Sequence, residues 1–542
     1  MQPRAFAFVF AAVFMATAAC FSPPPQAHED AGTVARPPDA GDPEEMPDGG
    51  STDSGVTIRR ITALTVTPAS LDLAVGNVSG VTAMATFSDG TTSDVTGTVH
   101  WIAEPPDVIQ VEVDDTLARV ETLKAGTATL KAKTGSVISN TIPVMVTEPD
   151  TTPREFRAVW VTRFAFTNKA SVQAIINRAA DAGFNVVFFQ IRGNGDAYYK
   201  SNLVPWAQRL TGTLGRDPGW DPLQVAIDAA HARGIQLHAY WNVFAGWPTP
   251  AGCSSTTCTC QPEQGHSDSC TLPPASPVGM PNHVLHDHPD WMAVTSNGKS
   301  VDTEYYWLSP GNPAVRQHIL EAAEELITHY DIDGLHLDRI RYPGSSYSYD
   351  AVSNAEYAAL PAENKPSRPD WQRDNVSKTV AGIYQLLKEN RPNAILSASV
   401  WGIYKKLPGC NTSEGYSGYY QDSIAWMKEG QIDALVPMIY WDIGTGCTDW
   451  ATLLDGFLAG SNGRPIIAGM HAIDGNAPKF DRIRARIDYA RTVGAAGTSI
   501  FASTYLDAKT SGSPTWPEQW SQFVAPGGPY AEPAEVPEID WR

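Results

Sequence analysis

One segment reads Gly334-Leu-His-Leu-Asp-Arg-Ile-Arg-Tyr-Pro, and its fifth residue is a carboxylate that packing alone does not explain. Along a strand, side chains alternate between two faces. Leu335 and Leu337 then suit an apolar outer face, while His336 and Asp338 point inward, Asp338 near the C-terminal end. A buried carboxylate is costly unless it is paired or used. A salt bridge to Arg339 or Arg341 is the structural reading, and catalysis is the functional one. A second segment, Leu435-Val-Pro-Met-Ile-Tyr-Trp-Asp, sets Met438, Tyr440 and Asp442 on one face by the same rule, with Asp442 at the rim. No Glu ends a strand-like segment; Glu304, in a long loop, is the nearest candidate of that type. Cleaving a glycosidic bond requires a proton for the leaving oxygen and stabilisation of a cationic transition state, tasks usually shared by two carboxyl groups. Asp338, Asp442 and Glu304 are the candidate catalytic residues.

Other polar and aromatic residues recur at the same end of similar segments. Alternation in Val186-Val-Phe-Phe-Gln-Ile-Arg turns Gln190 and Arg192 inward, with Asp196 just beyond. Ile235-Gln-Leu-His-Ala-Tyr-Trp-Asn does the same for His238, Tyr240 and Asn242. Trp401, His471 and Tyr505 end three further segments. Each alone could be a satisfied core residue. Their convergence suits a sugar, which offers hydroxyls to hydrogen-bond and C–H faces to stack on aromatic rings.

These residues need a scaffold that gathers strand ends. From residue 153 the pattern alternates strand and helix, with strands expected at 156–163, 185–192, 235–243, 334–340, 394–401, 434–441, 465–471 and 497–505. Helical periodicity falls at 170–182, 222–233, 315–330, 376–390, 449–458 and 480–493. Eight alternating units imply parallel strands closed into a (β/α)8 TIM barrel over 153–525, followed by a tail at 526–542. Active sites of such barrels lie at the C-terminal strand ends. Residues 58–148 instead carry short alternating strands separated by turns, the pattern of an all-β sandwich. Residues 20–57 are rich in Pro, Gly, Asp and Glu and predict a disordered acidic linker.

At the N-terminus, Arg4 precedes an apolar run through Ala19, too short to span a bilayer comfortably, which reads as a signal peptide over 1–19. Thr17-Ala-Ala-Cys20 resembles a lipoprotein processing site, although Thr17 stands where Leu is usual. The expectation is export and attachment to the envelope membrane through lipid on Cys20, with secretion as the alternative. Six further cysteines suit an oxidising compartment. Cys253, Cys258, Cys260 and Cys270 cluster in one loop, where two local bridges are expected and a zinc site is the alternative. Cys410 and Cys447 are left to pair with each other. A net charge of −20 argues against nucleic acid as a partner. No metal, organic cofactor or protein partner is indicated; the expected partner is a polysaccharide substrate.

Segments 58–148, with Leu-Thr-Val-Thr-Pro, Phe-Ser-Asp-Gly and Ala-Gly-Thr-Ala-Thr-Leu, resemble a bacterial immunoglobulin-like module, which implies a spacer. Residues 153–525 resemble the bacterial glycosyl-hydrolase-like family 10 of cell-surface lipoproteins. The resemblance rests on Arg154-Glu-Phe-Arg-Ala-Val-Trp-Val-Thr, Gln190-Ile-Arg-Gly-Asn-Gly-Asp-Ala-Tyr-Tyr-Lys-Ser, Trp307-Leu-Ser-Pro-Gly-Asn-Pro-Ala-Val-Arg and the Asp333–Pro343 segment. Ser309 departs from it, the family more often having Asp there. The resemblance implies a glycosidase barrel, some relatives acting on peptidoglycan glycan strands, and Gln190, Arg192, Asp196, Asp338, Arg339, Arg341 and Tyr342 as site positions. Met438-Ile-Tyr-Trp-Asp442 is also similar to a strand of chitinase-type barrels whose Tyr and Asp hold an acetamido group, but Ile340 replaces the Glu such enzymes need. An amylase-like α-glucan hydrolase or transferase would need a Glu after strand 5, where Trp401-Gly402 stands. A non-catalytic glycan binder is the third reading, because no second strand-end Glu is present.

Overall fold

The computed structural model describes residues 59–114, 116–250, 271–300, 302, 304–472, 480–507 and 517–539. The expected signal peptide, linker and lipidation site Cys20 lie outside them, as do Cys253, Cys258, Cys260 and Cys270. The chain divides into two units between Pro149 and Asp150.

The first unit is a β-sandwich. One sheet runs in the order Ile61–Thr67, Val78–Phe87, Leu117–Thr122, Ile109–Asp114, and the other in the order Leu71–Ala74, Ile142–Thr147, Gly126–Thr134, His100–Glu104. Strict alternation produces it: Ile142, Val144 and Val146 are buried while their neighbours face out. Val66, Val81, Val120, Leu130 and Val144 join residues of both sheets in one core.

The second unit is a closed barrel of eight strands in chain order. They are β1 Phe156–Val161, β2 Val186–Arg192, β3 Gln236–Asn242, β4 Gly334–Asp338, β5 Ile395–Trp401, β6 Ala434–Met438, β7 Ile467–His471 and β8 Gly497–Phe501. All pairings are parallel, and β1 against β8 closes the ring. The main outer helices are α1 Lys169–Asp181, α2 Pro222–His231, α3 Pro313–His329, α4 Arg368–Asn390, α5 Trp450–Gly460 and α6 Phe480–Thr492. Side chains of Asn168, Asp221, Asn312, Ser367 and Asp449 accept amide hydrogen bonds at the starts of α1 to α5, each such cap contributing about 1 kcal/mol. Helix α4 begins eight residues before the expected 376, because Ser367 caps it and Pro369 occupies its first turn.

An aromatic layer fills the ring beneath the mouth. Trp160 meets Phe188, Tyr240, His336 and Phe501 edge-on, with centroids 4.6–5.6 Å apart. Phe188 stacks on His336 at 4.1 Å. A Cβ at residue 334 would lie 2.5 Å from the His238 ring, so Gly334 is what lets β4 pass that histidine. The segment expected as a tail packs on the barrel: Tyr530 is buried against Phe184 and Phe523, and Arg157 and Asn185 donate to the carbonyls of Glu532 and Ala534.

The strands are shorter than expected, β6 and β8 most of all at their C-terminal ends. β6 stops at Met438, so Tyr440 and Asp442 lie beyond it, and β8 stops at Phe501, so Tyr505 sits in the short helix Ser503–Leu506. Cys410 and Cys447 are joined, as the cysteine spacing suggested, with Cα atoms 5.7 Å apart.

Candidate active site

Asp338 is the last residue of β4 and points into the ring, 7% exposed. Its Oδ2 accepts a 2.9 Å hydrogen bond from the Tyr240 hydroxyl, and its Oδ1 accepts from the Arg339 amide at 2.6 Å. Burial pushes its pKa up, but the Arg339 and Arg341 guanidiniums outweigh that, and the carboxyl lies below its ordinary value. Among the described residues no guanidinium nitrogen comes within salt-bridge distance of it. Asp338 is therefore an ionised carboxylate steadied by nearby charge and a phenol, rather than half of an ion pair.

The two arginines are held away from it by other partners. Arg339 has φ +51°, a left-handed backbone that costs a non-glycine residue about 1 kcal/mol or more. That turn sends its side chain to Glu304, at 2.8 Å, and over the Tyr305 ring. Arg341 is buried with its guanidinium carbon 4.9–5.6 Å from the ring centres of Trp307, Trp401 and Tyr419. Burial and Arg339 lower its pKa to about 10, so it stays cationic at neutral pH. Tyr440, stacked on Phe501 and edge-on to His471, lies close enough to Asp338 for burial and that charge to raise its pKa well above 10. His471 also packs on Tyr505.

Beside this centre lies an open cleft of about 690 Å³. Arg163, Phe164, Asn194, Asp196, Tyr198, Arg209, Trp247, Glu304 and Tyr305 line it. Phe164 is 58% exposed, between the guanidiniums of Arg163 and Arg209. Asp196 keeps its Oδ1 on the amides of Gly193 and Asn194, and Gln190 accepts from the Arg163 amide. Asn242 donates to the Gly193 carbonyl. Gln190, Asp196 and Asn242 thus hold the loop that forms one wall of the cleft.

The model of the family described as glycosyl hydrolase-like 10 matches residues 155–453, more than half of the chain. The chain belongs to the glycosyl hydrolase-like 10 family. It is 30% identical over 332 residues to glycosyl hydrolase YngK of Bacillus subtilis, covering 58% of this chain and 59% of that protein. It is 30% identical over 268 residues to glycosyl hydrolase DigH of Escherichia coli (strain K12), covering 48% of this chain and 55% of that protein. The match thus spans less than two thirds of either relative. Among solved structures, it is similar to the PgaB (BpsB) glycoside hydrolase domain from Bordetella bronchiseptica, with 14% identity, a TM-score of 0.43, and 65% of this chain and 95% of that one covered.

Several expected site residues of this glycosyl hydrolase-like 10 barrel lie elsewhere. Asp442 is bound by Arg482 and Arg486 of α6 instead of sharing the mouth with Asp338, because the chain leaves the sheet at Met438 and alternation no longer applies. Arg192 faces outward, over Trp241: the pairing runs Gln190 with Tyr240 but Arg192 with Trp241, so Ile191 is an extra residue that reverses the face. His238 does point inward, but near the start of β3, where it meets Gln236; burial lowers its pKa to about 4. Tyr342 is fully buried against Tyr420 and Ser348. Conversely, sequence reasoning missed Arg163, Phe164, Arg209, Trp247, Tyr305 and Tyr419. Arg163 and Phe164 carried a signal, since they directly follow the first strand. Trp247 and Tyr305 are brought together by a two-stranded pairing of Ala245–Pro248 with Tyr305–Trp307 that no local pattern announces.

Proposed function

We propose that this chain hydrolyses glycosidic bonds of an N-acetylated envelope polysaccharide of the peptidoglycan type, with Asp338 as the nucleophilic carboxylate. The observation that carries the reading is Asp338 itself, an acid at a strand end of a closed barrel, held ionised by Arg339 and Arg341 and oriented by Tyr240. A carboxyl with a lowered pKa is suited to attack or to stabilise a cation, and unsuited to donate a proton. In the proposed reaction an Asp338 oxygen bonds to the anomeric carbon as the glycosidic C–O bond breaks. A solvent proton, relayed through water at the Glu304–Arg339 pair, goes to the leaving oxygen. Glu304 then takes a proton from water, whose oxygen displaces Asp338 and frees the sugar. Arg339, bonded to Glu304 and adjoining Asp338 in the chain, couples the positions of the two acids. Phe164, Trp247 and Tyr305 offer ring faces for sugars on one side of the bond, Tyr440 lies nearer the acid, and Trp401 packs on Arg341.

We further propose an exported enzyme tethered through lipid on Cys20, with the acidic linker and an immunoglobulin-like sandwich as spacers. The support is the Arg4–Cys20 pattern, the composition of 20–57 and the even number of remaining cysteines. The test of activity is release of reducing ends from purified peptidoglycan glycan strands and from chitin oligomers. Wild-type protein is expected to release them, and Asp338→Asn to lose at least about 10³-fold of that rate. Equal release by the variant removes Asp338 from its role.

A further inference from the structure

Arg192 is 0% exposed, and its three guanidinium nitrogens make no hydrogen bond among the described residues. Among the described residues no carboxylate oxygen lies within 4.0 Å of it. An arginine cannot shed its charge by deprotonation at any ordinary pH, so a buried guanidinium without a counter-charge is strongly disfavoured. Its contact with the Trp241 ring, 4.9 Å to the centroid, offsets only part of that cost.

The groups around it do not complete the balance. Asp196 is the carboxylate whose field reaches Arg192, from beyond 4.0 Å, and it acts on Arg163 as well, so one negative charge serves two guanidiniums. His283 donates from Nε2 to the Asn194 carbonyl and accepts at Nδ1 from the Leu285 amide, so it is neutral and has no lone pair left. His318 is also neutral, burial and Arg192 having pushed its pKa down to about 3. Two further buried donors near the guanidinium, the Tyr199 hydroxyl and the Trp241 indole N–H, have no partner among the described residues. A neutral water would meet hydrogen-bonding needs and leave the charge uncompensated.

We infer that Arg192, with Tyr199 and Trp241, forms a buried site for a small monovalent anion such as chloride, behind β2 and β3 and separate from the sugar cleft. Its place explains the extra residue in β2: the irregularity at Ile191 turns Arg192 away from the mouth and into this pocket of donors. The anion would fix the β2 end from which Asn194 and Asp196 reach the cleft wall.

The test needs no substrate, so it stands or falls apart from the proposed activity. Native protein crystals soaked in sodium bromide are expected to show an anomalous bromine peak against the Arg192 guanidinium. The melting temperature is expected to be about 2–4 °C higher in sodium chloride or bromide than in sodium gluconate at equal ionic strength. Arg192→Lys keeps the charge and the halide response in weakened form, whereas Arg192→Met abolishes it. Density for water alone at the guanidinium, or a native melting temperature indifferent to the choice of anion, overturns the inference; if Arg192→Met does not fold, the bromide map of the native protein decides.

Discussion

Replacing Tyr240 by Phe removes one atom from the centre of the site and leaves its packing under Trp160 in place. That atom donates a 2.9 Å hydrogen bond to Asp338 Oδ2 in a fully buried setting. A hydrogen bond to a charged acceptor contributes about 1.5–3 kcal/mol. Because the phenol bonds the ionised carboxylate more strongly than the neutral acid, by about 1–1.5 kcal/mol, its loss should raise the Asp338 pKa. Arg339 and Arg341 remain, so the carboxyl still ionises, only at higher pH. The proposed chemistry requires the ionised form. The acid limb of kcat/KM against pH should therefore move upward by about one unit, at 1.36 kcal/mol per unit, with activity near neutrality much less affected. The same linkage applies to stability: the depressed pKa of Asp338 stabilises the fold above the unfolded-state value, and that contribution is lost as pH falls through the folded-state value. An acid limb that stays put in Tyr240→Phe, with reduced activity across all pH, would refute the idea that this phenol keeps Asp338 ionised.

Other consequences follow from the same structure. Asp442→Asn should lower the melting temperature by several degrees, through loss of charge between Arg482 and Arg486, while changing kcat/KM by less than about 3-fold; a large kinetic loss at unchanged stability would return Asp442 to the chemistry. Phe164→Ala should raise KM for long oligosaccharides about 3–10-fold and leave the shortest substrates unaffected, since one stacked ring contributes about 0.5–1.5 kcal/mol. Cys410→Ser should destabilise the barrel by up to about 4 kcal/mol, from a bridge joining residues 37 apart, measured by chemical denaturation under oxidising conditions.

What the sequence disclosed about this site depended on how regular each strand was. β4 is regular to its end, so alternation placed Asp338 with no structure in hand. β2 contains one extra residue and β6 ends three residues early, and in both cases counting by twos carried a side chain to the wrong face or past the sheet. The segment 526–542 reads only as a tail beyond the barrel; the burial of Tyr530 within it depends on tertiary contacts with Phe184 and Phe523. Part of the cleft comes from residues such as Trp247 and Tyr305, distant in sequence and joined by pairing across a long loop. The strand pattern, by contrast, recurs eight times with helical patterns between most of its members, and boundary errors of several residues could not hide the barrel.

The most direct test of the central claim is to trap the covalent intermediate. Incubation with an activated 5-fluoro N-acetylated glycoside, followed by proteolysis and mass spectrometry, should place a glycosyl adduct on the peptide carrying Asp338 and on the Asp338 carboxyl itself. An adduct on another residue, or hydrolysis that yields the inverted anomer with no adduct formed, would contradict it.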